Sequence, residues 1–417
     1  MRILFLDQFT SWGGAQFALR DVMLEARKRG WDPHLMAPGH GPLAAFCESA
    51  GIGFRDLALS SYANGYKTPA DMARFALDLA RSVRQVRSAV AEWRIDVIYA
   101  NGPRVLPACL GMGRPVLFHA HSYLEKTYAR AIARACVSLT GAGVLAASRF
   151  AARPFAGRAI TVYNGVPDCG WVPRRRPAGT AKIGIIGRIA PEKGHLDFLE
   201  AAGRLSHRDV TFHVFGAAQF SDPAYERRLR EKARGARLES PRVEFHGWTS
   251  DVATALHGLD ILAVPSAPFE ACPRIVIEAL SAGTPVAAYP SGGIPEILTD
   301  RVTGLIAADR TSGDLARSIE QFLDCPGLME QCSHQGRRAW EMRFGLERFR
   351  KEAGDSIASF VEAPSRGAAD KRNHGAEVAG ATADKKDGLV CARTHSRRIH
   401  GEEPLPEDAH PASRILH

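Results

Sequence analysis

The sequence predicts an α/β protein of two doubly wound, parallel-sheet domains followed by a disordered C-terminal tail. Three observations carry this. Short apolar runs alternate with helical segments along most of the 417 residues, the pattern of parallel strands wrapped by helices. The alternation comes in two series, separated by a stretch rich in proline and glycine. The last part of the chain holds no aromatic residue.

The first series places strands at 2–7, 34–37, 97–100, 116–119, 143–146 and 159–162. A helix follows Gly13-Gly14-Ala15-Gln16 and runs to Arg29. Segment 71–94 forms another: Phe75, Leu79, Val83, Val86 and Val90 recur at helical spacing. Residues 167–180 hold Pro167, Pro173 and Pro177, two glycines and the run Arg174-Arg175-Arg176, which predicts an exposed interdomain linker. The second series places strands at 182–187, 211–215, 242–245, 261–264, 285–288 and 304–307, with helices at 196–205 and through Glu278. The expected organisation is a first domain at 1–166, the linker at 167–180, a second domain at 181–334 and a helix at 335–361 returning toward the first. Residues 362–417 lack Phe, Tyr and Trp and cannot bury enough apolar surface to offset chain entropy, so they are expected to be disordered.

A composition of 45% hydrophobic and 24% charged residues excludes fibrous and collagen-like classes. The eight cysteines form no C-x-x-C pair and have no histidine at ligand spacing, so they read as thiols of a reducing compartment, and no metal centre is expected. The apolar run before Asp7 is too short for a signal peptide, and no run approaches the roughly 20 apolar residues of a membrane span. A cytoplasmic protein is expected, with at most peripheral contact at the inner face of the plasma membrane.

The net charge of +9 is regional. Residues 1–170 hold 20 basic and 12 acidic residues, a net +8. Arg74, Arg81, Arg84 and Arg87 lie on the helix at 71–94. They read either as a solvated face or as an attraction for anionic lipid heads or phosphorylated substrates. Nucleic acid is not an expected partner, because the basic residues are not interleaved with aromatics and no reading motif appears.

Four motifs carry chemistry. Gly13-Gly14 follows the first strand, where glycines let the backbone approach a ligand and the next helix presents free N–H groups. The absence of G-x-G-x-x-G argues against a dinucleotide dehydrogenase. Gly187-Arg188 and Glu192-Lys193-Gly194 follow the first strand of the second series; two fixed cations there suit a diphosphate. Glu270 and Glu278 flank Ala271-Cys272-Pro273-Arg274-Ile275-Val276-Ile277, and a carboxylate after such an apolar run is costly unless paired or hydrogen-bonded. Ser291-Gly292-Gly293-Ile294-Pro295-Glu296 again puts glycines at a strand end before a helix begun by proline. All of the last three fall at strand ends and converge on one crevice.

Together, Gly187-Arg188 with Glu192-Lys193-Gly194, the Glu270-x7-Glu278 pair and Gly292-Gly293-Ile294-Pro295-Glu296 resemble the donor domain of the retaining GT-B glycosyltransferases, family four in particular. Tyr163-Asn164-Gly165-Val166 is similar to the segment before that family's linker, and Gly13-Gly14-Ala15-Gln16 to its N-terminal glycine loop. The resemblance covers residues 1–355. It implies two Rossmann-like domains facing across a cleft and a hexosyltransferase of bacterial polysaccharide or glycolipid synthesis. A nucleotide-diphosphate sugar would be the co-substrate, no cofactor would be needed, and the acceptor would be a sugar or a lipid-linked saccharide.

The resemblance also implies roles. Arg188 and Lys193 bind the diphosphate, Glu278 the ribose hydroxyls, and Glu270 the hydroxyls of the donor sugar. Gly14, Gly187, Gly292 and Gly293 bring backbone close to the donor. His121 would be the active-site histidine, with His119 as the competing assignment. Catalysis is expected to rest on His121, Glu270, Arg188 and Lys193 and to be metal-independent, since no Asp-x-Asp pair stands at a strand end. One departure is Pro273, where the family has glycine: proline removes an N–H donor. The competing functions are a nucleotide-sugar 2-epimerase of the same architecture and a non-catalytic nucleotide-sugar-binding subunit.

Overall fold

The structure is a computed structural model and describes residues 1–60, 69–175, 177, 179–218, 222–235 and 243–362. Among them, β1 (Arg2–Asp7), β2 (Asp32–Ala37), β3 (Gly53–Asp56), β4 (Val97–Asn101), β5 (Val116–Ala120), β6 (Gly143–Ala146) and β7 (Ala159–Thr161) form one sheet in the order β3-β2-β1-β4-β5-β6-β7. The second sheet joins β8 (Ala181–Ile186), β9 (Val210–Phe215), β10 (Val243–Gly247), β11 (Ile261–Val264), β12 (Val286–Ala288) and β13 (Leu305–Ile306) in the order β10-β9-β8-β11-β12-β13. The pairings in both sheets are parallel. The strand order reverses between β1 and β4 and between β8 and β11, and at such switch points a crevice opens beyond the carboxyl ends of the strands.

Each sheet is buried on both faces, which is why its strands read as continuous apolar runs. Leu4, Leu6, Ile98 and Phe118 face one core of the first sheet; Ile3, Phe5, Tyr99 and Leu117 face another. In the second sheet Ile183, Phe212 and Ala263 face one core, and Leu262, Val264 and Val286 the other. This alternation follows the two-residue period of a strand.

Two architectural expectations stand: two doubly wound sheets, and helices between their strands. Three details differ. β3 has no counterpart in the expected series; it is a four-residue edge strand with no fully buried residue, so it carries no apolar run. The residues near 335–361 are not one helix. A helix Pro326–Arg343 ends at Phe344, and a second runs Leu346–Glu362. Phe344 is wholly buried, its carbonyl accepts Val166 N–H at 3.0 Å, and Gly345 bridges Val166. The chain therefore crosses between the halves twice at one place. Beyond the break, Phe349, Ala353 and Ile357 enter the core of the first sheet beside Ile3 and Phe5. Full burial of a side chain the size of Phe or Ile contributes about 1.5–3 kcal/mol.

The third difference lies in the proline-rich stretch. Arg174 is not an exposed linker residue but is 7% exposed. Its guanidinium donates to the carbonyls of Leu256, Leu259 and His257, each at 3.0 Å. These carbonyls lie at the end of the helix Val252–His257 and just after it, where a cation is favoured by the helix dipole. Of the expected tail at 362–417, Glu362 instead closes the helix Leu346–Glu362, and residues 363–417 lie outside the described residues, as do Arg176, Ala178 and Arg242.

The helix at 71–94 spans Pro69–Glu92, burying Val86 and Val90 and packing Phe75, Leu79 and Val83 against the first core. Arg74, Arg81, Arg84 and Arg87 are exposed, and so are Met72 and Leu77. Among the described residues, no helix is long and apolar enough to cross a membrane.

Candidate active site

The ends of β1, β4 and β5 bring three polar side chains together at the first switch point. Asp7 closes β1, Asn101 closes β4, and His121 follows β5. Asn101 Nδ2 donates to Asp7 Oδ2 at 2.5 Å, and Gln16 Nε2, from the helix Gly14–Lys28, donates to Asp7 Oδ1 at 2.9 Å. His121 Nε2 lies 2.6 Å from Asn101 Oδ1. An amide oxygen only accepts, so Nε2 carries the proton and Nδ1 keeps a lone pair. That Nδ1 is buried without a protein partner. Burial, helped by the nearby Arg274 charge, lowers the His121 pKa to about 3, so the ring is neutral. Burial raises the Asp7 pKa to about 7, against its hydrogen bonds from Asn101, Phe9 N–H and Gln16.

His119 differs from its neighbour. It is wholly buried on β5, with Nδ1 2.5 Å from Tyr99 Oη, whereas His121 is half-buried and feels a charge from the second half.

The second switch point gathers the motifs of the second series. Gly187 ends the β8 run with its N–H on the Phe215 carbonyl at 2.9 Å. Lys193 Nζ meets Glu270 Oε2 at 2.5 Å, joining the loops after β8 and β11. Arg188 pairs instead with Glu192, four residues on. Gly293 N–H donates to the Glu270 carbonyl at 2.9 Å. Gly292 has φ +53°, and a Cβ there would stand 2.0 Å from that same carbonyl; a Cβ on Gly293 would stand 1.8 Å from the Ala271 carbonyl. Only glycine allows the two loops this approach.

Pro273 is the residue before the helix Arg274–Ala282 and sits at φ −67°, the value its ring imposes. Glu278 is mostly buried in that helix, 3.7 Å from Arg274 Nε. Burial raises its pKa, and Arg274 pulls it back.

Arg274 ties the two switch points together. Its guanidinium lies 5.5 Å from the centre of the Phe17 ring and donates to the Gly165 carbonyl at 3.0 Å. A Cβ on Gly14 would lie 3.6 Å from its side chain. Further contacts cross the same gap: Phe269 stacks on Tyr123 with ring centres 5.7 Å apart, and Asn164 Nδ2 donates to the Cys272 carbonyl at 3.1 Å. Glu296 accepts the backbone N–H groups of Arg149 and Phe150 at 2.8 Å each and the Tyr163 hydroxyl at 2.9 Å.

Of the residues singled out in the sequence, Lys193, Glu270, Gly292 and Gly293 are in direct contact. His121, Gly14 and Glu278 share Arg274 as their common neighbour. Among the described residues, Arg188 reaches only Glu192. Asp7, Asn101 and Arg274 join these contacts but were not singled out, and Gln16 was read only as part of the glycine loop. Asp7 and Asn101 do end apolar strands at the switch point, a signal that could have marked them.

Elsewhere, His213, Glu244 and His246 place three ligand atoms within 4.8 Å of one another.

Two family models match the chain in tandem: Glycosyltransferase Family 4 over residues 12–168 and Glycosyl transferases group 1 over residues 173–339. Among curated proteins, 2-deoxystreptamine glucosyltransferase of Streptomyces kanamyceticus is 32% identical over 172 residues, 40% of this chain and 43% of that protein. Glycogen synthase of Mycobacterium tuberculosis is 28% identical over 184 residues, 43% of each. The chain thus spans less than half the length of these curated relatives. Among solved structures, Anabaena Alr3699/HepE in complex with UDP and glucose superposes with a TM-score of 0.73 at 23% identity, over 86% of this chain and all of that one. A second, the apo lipopolysaccharide outer core galactosyltransferase WaaB, gives 0.67 at 16% identity, over 86% of this chain and all of that one. These likenesses carry the two-sheet fold.

Proposed function

We infer the function of a chain that belongs to the family 4, group 1 glycosyltransferases: it is a retaining hexosyltransferase that moves a sugar from a uridine diphosphate sugar to a hydroxyl acceptor. The observation that carries this is the contact set of Lys193, Glu270, Gly292 and Gly293 at the β8/β11 switch point, facing the first half through Arg274. The uridine nucleotide is carried over from the Anabaena protein, which was captured with UDP-glucose.

As the glycosidic bond breaks, negative charge grows on the leaving diphosphate. Lys193 and Arg188 supply fixed positive charge there, and the Gly292-Gly293 turn brings main chain close. Their carboxylate partners Glu270 and Glu192 keep both cations in place until the donor arrives. Glu270 then accepts from hydroxyls of the donor sugar, and Glu278 from the ribose. The neutral His121 accepts a sugar hydroxyl at Nδ1 while Asn101 holds its ring. The acceptor hydroxyl attacks from the face that the nucleotide leaves, with the departing phosphate taking its proton. Contacts across the gap exclude water and suppress hydrolysis.

An acceptor bearing a lipid or phosphate is supported by the net +8 of residues 1–170 and by the exposed arginines of Pro69–Glu92, which stand beside exposed Met72 and Leu77. Such a surface suits work at the inner face of the plasma membrane, in cell-surface polysaccharide or glycolipid synthesis.

The test is a thermal-shift screen of the full chain over UDP-, GDP- and ADP-sugars, followed by assay of nucleotide release with and without saccharide acceptors. A UDP-sugar at 100 times its Kd should add about 2.7 kcal/mol of stability. The acceptor-dependent product should keep the donor's anomeric configuration by NMR. Epimer formed without acceptor, or binding with no turnover on any acceptor, would overturn the assignment.

A further inference from the structure

We propose that His213, Glu244 and His246 form a binding site for a divalent transition-metal ion, with Zn2+ as the type case, on the paired strands β9 and β10. His213 lies in β9; Glu244 and His246 lie two apart in β10 and so share one face of the sheet. The parallel register sets Glu244 opposite His213. His213 Nδ1 is 3.0 Å from His246 Nε2 and 3.6 Å from Glu244 Oε2, and His246 Nε2 is 3.9 Å from that oxygen. Ligands about 2.0–2.1 Å from a tetrahedral Zn2+ stand about 3.3 Å apart, which these three separations bracket. Small side-chain adjustments are enough to close the set around an ion.

The surroundings fit a ligand site better than an ordinary polar cluster. Thr211 Oγ1 sits 2.9 Å from His213 Nε2, on the far side of the ring from the cluster. If Nε2–H donates to that hydroxyl, the Nδ1 lone pair is turned toward the other two ligands, the outer-shell arrangement of metal-binding histidines. The His246 ring stacks on Phe215 with centres 4.3 Å apart, and the two imidazoles are nearly parallel. His213 is buried, while Glu244 and His246 are each more than a third exposed, which leaves an entry path and room for water as the fourth ligand. Two imidazoles and one carboxylate suit Zn2+, Co2+ or Ni2+ better than Mg2+ or Ca2+.

The site uses none of the residues assigned to the donor, and it does not depend on the transferase assignment. Its place gives it a structural role. His246 immediately precedes Gly247, whose carbonyl accepts Gly216 N–H at 2.7 Å. A bound ion would clamp β10, an edge strand, to β9 at that point.

The experiment is calorimetric titration of metal-free full-length protein with Zn2+, with all thiols that react in the native state alkylated, Cys325 among them, alongside His246→Ala, Glu244→Gln and Thr211→Val. One saturable equivalent should bind the unaltered chain and be lost in the first two variants. Thr211→Val should weaken it by about 10-fold, the scale of an outer-shell partner. Melting temperatures without metal, close to that of the unaltered chain, show that the variants fold; zinc should raise only the melting temperature of proteins that keep the site. No binding by the unaltered chain, or binding unchanged in folded His246→Ala and Glu244→Gln, overturns the proposal.

Discussion

Lys193 and Glu270, 77 residues apart in the chain, meet at 2.5 Å and lock the loop after β8 to the loop after β11. Lys193→Ala removes the cation assigned to the leaving diphosphate and leaves Glu270 without its partner. The expected loss in kcat/KM is about 10²–10³, the scale of one transition-state donor. Near-normal turnover in steady-state assay would refute the diphosphate role.

Glu278 is assigned to the ribose hydroxyls while Arg274 Nε stands 3.7 Å away. Hydrogen bonds to charged groups are worth about 1.5–3 kcal/mol, so Glu278→Ala should weaken UDP binding by about 10- to 100-fold in calorimetry. An unchanged Kd would leave Glu278 as a partner for Arg274 alone.

Asp7 and His121 titrate with opposite effects on stability. The Asp7 pKa rises from 3.8 to about 7 on folding, so between those values the native state holds the extra proton and stability falls as pH rises. The His121 pKa falls from 6.5 to about 3, so between those values the unfolded state holds the extra proton and stability rises with pH. From pH 4 to 6.5 the two contributions oppose each other, each with a slope of about 1.4 kcal/mol per pH unit. Asp7→Asn removes one of them. Its melting temperature should climb more steeply over that range than the unaltered protein's. Parallel curves would mean that Asp7 does not hold a proton in the native state.

Glu296 takes three donors from the opposite half, including both N–H groups at the start of the short helix Arg149–Ala152. Glu296→Ala strands them at a partly buried junction and should cost about 2 kcal/mol in urea unfolding. It should also raise the rate of nucleotide-sugar hydrolysis relative to transfer, because the two halves lose a latch. A variant with unchanged stability and unchanged partition would make the contact incidental.

The two-sheet architecture was legible because strands buried on both faces leave apolar runs in the sequence. β3 left none, since an edge strand of Gly-Phe-Arg-Asp needs no buried side. The motifs of the second switch point were legible because glycines and charges at strand ends are local features. Arg274 was not: its importance comes from reaching Phe17 and Gly165, and nothing in its neighbours announces that contact. Asp7 and Asn101 are adjacent only through strand pairing, in which Asp7 aligns with Asn101 across β1 and β4. Arg174 misled in the other direction. An arginine run beside prolines reads as solvated, yet a helix end and its following turn offer three carbonyls that take its guanidinium out of water.

The helix Leu346–Glu362 covers a face of the first sheet, although that sheet's last strand ends at Thr161. During synthesis, Ile3, Phe5, Tyr99 and Leu117 must therefore wait for Phe349, Ala353 and Ile357 while the whole second sheet is made. At about 5–20 residues per second, that interval is roughly 10–40 s. Ribosome-bound chains stopped before residue 346 lack one of the elements that cover this face, whose other cover includes the helix Gly14–Lys28. The first half is thus completed last, and a gene fragment ending near Val166 encodes its sheet without its lid.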